Sequence, residues 1–467
     1  MKEKRLGLWV LTALVVGNMV GSGIFMLPRS LAEVASPAGV LGAWLITGIG
    51  VLLTALVFGN LSIRKPSLNG GPQNYALALF KPNTERSLLL GYLVSWGYWV
   101  ANFAGNVAII TTFASYLSTF FPILTSQRRL FSIGSAAITE GGFITFLVCS
   151  MLLWGMHYII LRGVSGAGKL NLAATAAKVL GFALFIVLCL FAFQSSHLTP
   201  FAEGRIDQAS GHTIGLVGQI NHAAVATLWA FIGIESAVVF STRAKKQSDV
   251  KKATIFGLIL ALILYISITF LVMGTLSKKE LLASQKPLVD ALSTVIGPSG
   301  SYIMALLGMV SLLGATIGWI LLSSEVPYQA AKRKMFLPSF AKENGRGTPV
   351  FSLTMTNIFT QLFIFSVVSH SMADAYNFVI FVATLAFLVP YVFACLYQVK
   401  LVFSGETYEN RFSRARFVDG VISIAATIYS AWVIKAGTAD LKTFLFGIGM
   451  LACGIIFYPI VRKSTRK

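Results

Sequence analysis

Two stretches of this chain put unfavourable groups inside apolar runs. "GNMVGSGIFMLP", residues 17–28, places Gly17, Gly21, Ser22 and Gly23 in the first long hydrophobic segment. Each interior glycine costs a helix roughly 1 kcal/mol against alanine, so the helix is expected to break there. "WAFIGIES", residues 229–236, repeats the pattern with Gly233 and adds a carboxylate, Glu235. A charge at mid-depth costs at least a few kcal/mol and is a functional candidate by default. Glu235 could serve as a proton carrier or as a polar gate. A third group, Lys178, lies about nine residues into the fifth apolar run, roughly 13 Å deep at 1.5 Å per residue. That is too deep for easy escape to the interface, although snorkelling is the plain alternative.

The chemistry such breaks permit is binding rather than bond-making. Unwound backbone in hydrocarbon is tolerable only where it lines a cavity, and the free N–H groups at a half-helix start attract anions. Interrupted segments at corresponding positions of two halves point to a transporter's binding site. Glycines that merely allow close helix packing are the simpler alternative. That alternative suits one such segment better than two at matching places, one of them carrying an acid. No Walker loop, paired catalytic carboxylates or nucleophile motif accompanies them, so ATP-driven transport and hydrolysis have no visible machinery and no enzyme is expected. Cys149, Cys189, Cys395 and Cys453 are far apart within apolar runs and read as core packing, and His222 as a satisfied helix histidine. No metal or cofactor is called for.

The elements that must hold these groups are membrane helices. The chain has 467 residues, 56% hydrophobic and 12% charged, where a soluble chain carries about a quarter charged residues. Twelve spans are expected. The first five lie near Leu6–Leu27, Ala38–Gly59, Leu88–Thr119, Gly142–Leu161 and Leu170–Phe193. The next five lie near Ile214–Phe240, Ala253–Thr275, Ser301–Ala330, Pro349–Ser369 and Tyr376–Leu401. Phe417–Ile434 and Phe444–Ile460 complete the set. "GGPQNYALALF", residues 70–80, is too short to span and should lie at an interface or re-enter. The N-terminal run imitates a signal peptide but continues past twenty residues, and reads as an uncleaved first span.

A net charge of +20 raises the question of nucleic acid. With the N-terminus inside and the spans alternating, Lys and Arg favour the inside by about three to one, which is the positive-inside rule. The basicity orients the protein, both termini are expected in the cytoplasm, and no nucleic acid is needed. The location expected is a bacterial cytoplasmic membrane.

"GNMVGSGIFMLP", "NGGPQNYA", "SWGYWVANFAGNVA", "WAFIGIESA", "RAKKQSDVKKATIFG" and "SSEVPYQAAKRKMFLPSFAKENGRGTP" follow one another in order. Through them the whole chain resembles the amino acid–polyamine–organocation superfamily, in its basic amino acid/polyamine antiporter branch. The resemblance is strongest to arginine/ornithine antiporters and shares its broken helices with arginine/agmatine exchangers. It implies an all-α, LeuT-like fold of two inverted five-helix repeats, residues 1–200 and 201–403, with two further helices in 404–467. It also implies alternating access, with amino acids, amines and the bilayer as partners and a homodimer left open.

Position by position, the resemblance implies that Ser22 and Gly23, with backbone at Met19, receive the substrate carboxylate. Ile232 meets the α-amino group through its carbonyl. Ala101 and Asn106 line the side-chain pocket, Trp229 closes over the substrate and Trp319 stacks on its cationic end. Tyr98, Glu235 and Tyr391 match a deeper gate. Each also has a packing alternative, Trp319 above all. Asn102, Ala383 and Phe387 depart from the arginine/agmatine pattern, which puts that exchange in doubt. Lys178 departs further, since in other superfamily members a lysine here is associated with proton coupling. The expected function is exchange of a cationic amino acid such as arginine, lysine or ornithine. The alternative is a proton-coupled symporter using Lys178. No selectivity-filter loop or ring of acids suggests a channel.

Overall fold

A computed structural model describes residues 6–81, 84–133, 136–206, 211, 213–365, 372–409, 413–438 and 441–465. The first helices are α1 (Leu8–Met19), α2 (Gly23–Val34), α3 (Pro37–Arg64), α4 (Gln73–Leu77), α5 (Glu85–Leu117), α6 (Glu140–Leu161) and α7 (Val164–Phe191). Then come α8 (Leu216–Phe231), α9 (Ser236–Val239), α10 (Gln247–Thr275), α11 (Lys278–Ala283), α12 (Pro287–Ile296) and α13 (Pro298–Lys332). The chain finishes with α14 (Val350–Ile364), α15 (Met372–Ser404), α16 (Arg414–Gly437) and α17 (Leu441–Thr465). Two short antiparallel hairpins stand in the connections. β1 (Arg129–Ile133) pairs with β2 (Ala136–Thr139), and β3 (Arg205–Ile206) with β4 (Thr213–Ile214).

Helix starts follow local chemistry. Ser36, Thr84 and Thr139 accept from backbone N–H groups three residues on and cap α3, α5 and α6. Among the described residues ten helices are long and apolar enough to cross a membrane, with α1 and α2 taken as one, and the bent pair α8–α9 makes an eleventh. The expectation of twelve differs at α14, whose 15 residues fall short of the ~20 a span needs. The end of that expected span runs into residues outside those described. The segment at 70–80 is neither flat on the surface nor a span. Its helix α4 buries Gln73, Asn74, Tyr75 and Ala76. Arg333 holds the preceding turn by donating to Ser67 O at 2.6 Å and Asn69 O at 2.8 Å.

Burial sorts the helices. The apolar stretches of α1–α2 and α5 are 89% buried, against 22% for α6 and 17% for α17. The inner helices must therefore satisfy their polar groups within the protein, while the outer ones face lipid. The packing expectation holds for Cys149, Cys189 and Cys395 but not for Cys453, which is exposed on the outermost helix. Lys178 lies farther from its helix start than expected, because α7 begins at Val164.

The ends of α3, α10 and α16 are tied by one buried carboxylate. Asp419 accepts from Asn60 Nδ2 at 2.8 Å, from Arg64 Nε at 2.9 Å and Nη2 at 2.8 Å, and from Tyr408 OH at 2.9 Å. Lys251 Nζ adds a bond to Asn60 Oδ1 at 2.8 Å. Removing one member of such a buried pair strands the other, at a cost of about 3 kcal/mol or more. Asp419→Ala should lower the thermal unfolding midpoint of the detergent-solubilised protein clearly, while Lys278→Ala at an exposed pair leaves it in place. Equal midpoints would show that the network adds no stability.

Candidate functional site

α1 ends at Met19 and α2 begins at Gly23, leaving Val20, Gly21 and Ser22 unwound. α8 ends at Phe231 and α9 begins at Ser236, with a bend of 43° across the break. The two breaks touch. Gly233 has φ +108°, and a Cβ there would lie 2.8 Å from Asn18 Cβ and 3.0 Å from Met19 N. Both the left-handed backbone and the close approach demand glycine. Asn18 Nδ2 donates across the contact to Ser236 Oγ at 2.8 Å.

Ending a helix away from water strands its last carbonyls. Here Gly17 O, Asn18 O and Val20 O find donors on other helices, and Met19 O, which accepts from Gly21 N at 2.7 Å, gains a second. Lys178 Nζ, on α7, donates to Gly17 O at 3.0 Å and to Val20 O. Trp319 Nε1, on α13, donates to Asn18 O at 2.8 Å. Tyr265 OH, on α10, lies 2.5 Å from Met19 O and 2.6 Å from Ala230 O. One hydroxyl proton serves one of these carbonyls at a time, so Tyr265 links the two broken helices.

Between the breaks lies a closed cavity too tight to admit a water molecule in this conformation, lined by Asn18, Met19, Gly21, Ser22, Gly23, Ile109, Trp229, Ile232 and Trp319. Ser22 Oγ is buried there without a partner among the described residues, beside the N–H groups that open α2, of which Phe25 N bonds to Ser22 O at 3.2 Å. The Trp319 ring is 5.5 Å from Trp229 at 43° and 5.8 Å from Phe387 at 85°. It fits because Gly105 on α5 has no side chain: a Cβ there would lie 2.4 Å from Trp319 Cζ3. Fully buried Glu235 accepts from Tyr98 OH at 3.0 Å, from Gly233 N at 3.0 Å and from Tyr391 OH.

Of the residues singled out in the sequence, Met19, Ser22, Gly23, Trp229, Ile232 and Trp319 therefore share one cavity. Tyr98, Glu235 and Tyr391 form a second cluster through Glu235. Ala101, Asn102, Asn106 and Ala383 are buried on α5 and α15 but do not line the cavity. Asn106 Oδ1 accepts from Ser323 Oγ at 3.2 Å, and Asn102 Nδ2 donates to Tyr98 O at 2.7 Å. Sequence reasoning missed Asn18, Gly105, Ile109 and Tyr265. Its one usable signal for Tyr265 was a single tyrosine in the apolar run "LILYISITFLV".

A further closure lies toward the start of α1. Leu6 N donates to Arg243 O at 2.7 Å and Lys245 N to Leu6 O at 2.8 Å. The Arg243 side chain pairs with buried Glu325 at 3.3 Å, and Gln329 Nε2 donates to the same carboxylate at 2.7 Å.

Two interrupted spans closing on a buried cavity are the arrangement of a secondary transporter. An amino acid permease family model matches residues 6–465, and the chain belongs to that family. It is 52% identical over 467 residues to a putative arginine/ornithine antiporter of Bacillus subtilis (strain 168), covering 100% of this chain and 99% of the relative. It is 37% identical over 469 residues to the arginine/ornithine antiporter of Pseudomonas aeruginosa, covering 99% and 92%. With the arginine/ornithine antiporter ArcD1 of Lactococcus lactis subsp. cremoris it shares 32% over 476 residues, covering 99% and 85%.

Tyr265→Phe deletes one hydroxyl and keeps the ring. Losing a hydrogen bond of about 0.5–1.5 kcal/mol at the joint of the breaks should slow transport roughly 2- to 12-fold at saturating substrate, with expression unchanged. Normal turnover would reduce Tyr265 to packing.

Proposed function

We propose that this protein exchanges arginine for ornithine, or closely related cationic amino acids, across a bacterial cytoplasmic membrane by alternating access. The observation that carries this is full-length likeness to proteins named as antiporters of these two amino acids, 52% identical in one case and 37% in another. The broken helices lend it a physical basis. The N-terminus of α2, with Ser22 and Gly23, offers its first N–H groups and a positive dipole end to a carboxylate. The carbonyl of Ile232, exposed by the second break, suits the α-ammonium. The Trp319 face, cornered by Trp229 and Phe387, suits a guanidinium or ammonium through cation–π attraction.

The proposed frame is twelve spans, with α14 lying in the ninth. Two inverted repeats fall in residues 1–200 and 201–403, and two helices follow in 404–467. The broken helices fall first in each repeat under this division. The excess of Lys and Arg on one set of loops supports cytoplasmic termini. Tyr98, Glu235 and Tyr391 then form a gate on the cytoplasmic side of the cavity, and Ala101, Asn102, Asn106 and Ala383, set back from the cavity on α5 and α15, would meet the substrate's side chain only when the cavity widens. A second reading, proton-coupled symport, is favoured by one observation: a lysine with only 3% of its surface exposed holds the end of α1. In an exchanger Lys178 is a fixed brace, and in a symporter it releases its proton during the cycle.

Liposomes preloaded with ornithine should take up labelled arginine with no proton gradient imposed, and empty liposomes should accumulate little. Lys178→Ala should damage exchange generally by freeing two carbonyls. Concentrative uptake into empty liposomes, driven by an acid exterior and abolished in Lys178→Ala, would replace the exchanger with the symporter. Trp319→Leu should weaken binding of arginine roughly 5- to 30-fold, the equivalent of about 1–2 kcal/mol of cation–π attraction in a desolvated pocket. Unchanged affinity at normal expression would take Trp319 out of the site.

A further inference from the structure

Arg29, on α2, is half-buried and has no hydrogen-bond or ion-pair partner among the described residues. Its Nε and Nη1 are buried and bond to nothing, and it enters none of the ion pairs among the described residues, including with Glu33 one turn on. Two of its nitrogens are thus desolvated without compensation while the residue keeps some contact with the surface, and a charge so placed on a span marks a pathway more often than a structural post. The helix that carries it is the one that opens at Ser22 and Gly23. Seven residues are nearly two turns, so Arg29 returns to within about 20° of the bearing of Ser22, roughly 10 Å nearer the far end of α2. Ser22 Oγ is likewise buried without a partner. One stripe of α2 thus carries two unsatisfied donors at different heights.

We propose that Arg29 is an outer carboxylate subsite, which receives the α-carboxylate of an incoming amino acid before it descends to Ser22 and Gly23. The inference rests on the exchange reading above and on the topology that puts the end of α2 outside. A planar guanidinium matches a carboxylate in a fork of two parallel hydrogen bonds. The same charge repels the substrate's cationic end, so the molecule enters carboxylate first, as the inner site requires. Arg29 therefore also selects. A decarboxylated amine such as agmatine has the guanidinium of arginine but no carboxylate, and meets only repulsion. The device favours exchange of one amino acid for another over exchange of an amino acid for an amine.

The test measures labelled arginine uptake from the outside by right-side-out vesicles loaded with ornithine, with unlabelled arginine or agmatine as competitor. In Arg29→Gln the KM for external arginine should rise about tenfold, near the lower end of what a hydrogen bond to a charged group contributes. Agmatine should gain on arginine as a competitor by a similar factor. Arg29→Lys keeps the charge without the fork and should restore most of the discrimination, and it serves also if Arg29→Gln fails to reach the membrane. Unchanged KM and unchanged agmatine-to-arginine ratio in both variants would overturn the subsite. Equal shifts for arginine and agmatine would also overturn it, since Arg29 would then hold an inorganic anion or serve packing. A wild-type protein that exchanges no basic amino acid would instead overturn the functional reading beneath it.

Discussion

The structure turns on what happens to four consecutive carbonyls. A helix that stops inside a membrane protein leaves its last C=O groups without intrahelical partners, and no bulk water is there to replace them. At the end of α1 those of Gly17, Asn18, Met19 and Val20 are taken up by Lys178, Trp319, Tyr265 and Lys178 again. Three helices, α7, α10 and α13, thus converge on one turn. At the second break Tyr265 reaches Ala230 O, and Gly233 N–H binds Glu235. The unwound backbone that makes a binding site possible is also what dictates which side chains must surround it.

This gives several residues two tasks at once. Trp319 spends its only donor on Asn18 O, so it has no hydrogen bond left for a ligand and offers the face of its ring. Glu235 is filled by two tyrosines and a backbone N–H, which accounts for a carboxylate at that depth without any substrate contact. Lys178 sits at the negative end of the α1 dipole, where a cation is stabilised. Its burial is repaid by two carbonyls rather than by a counter-charge.

Much of this was legible in the sequence and some could not be. Gly21, Ser22, Gly23 and Gly233 announced both breaks, because two interrupted apolar runs at matching places, one carrying an acid, suit breaks better than close helix packing. Glu235 and Lys178 stood out because charge at depth is rare. Tyr265 did not, since a tyrosine within a span usually packs, and its partners are carbonyls that any residue supplies. Cavity-lining residues on α5 were harder still. Ile109 lines the cavity while Ala101, Asn102 and Asn106 do not, a choice made by depth along α5 as well as by rotation, which no residue type reveals. The buried helix α4 was hidden for a related reason: its five residues are too few for a period, and its anchors come from Arg333 and Ser241 far along the chain.

The same four carbonyls constrain how the protein can move. If α1 tilted alone, it would leave Lys178, Trp319 and Tyr265 behind and strand the C=O groups of Gly17, Asn18 and Val20, each at about 1–3 kcal/mol, while Met19 O kept its bond from Gly21 N. That sum would exceed what a small substrate can return. The cheaper motion keeps α1 with the donors that hold it, or trades one donor for another at each step. Tyr265 is built for such a trade, with one proton between Met19 O and Ala230 O, so the two breaks can shift relative to each other without either losing its partner for long. The backbone pairing of Leu6 with Arg243 and Lys245 ties the start of α1 to the chain just after the second break. Movement at one broken helix is thereby passed to the other from both ends, through hydrogen bonds rather than through packing alone.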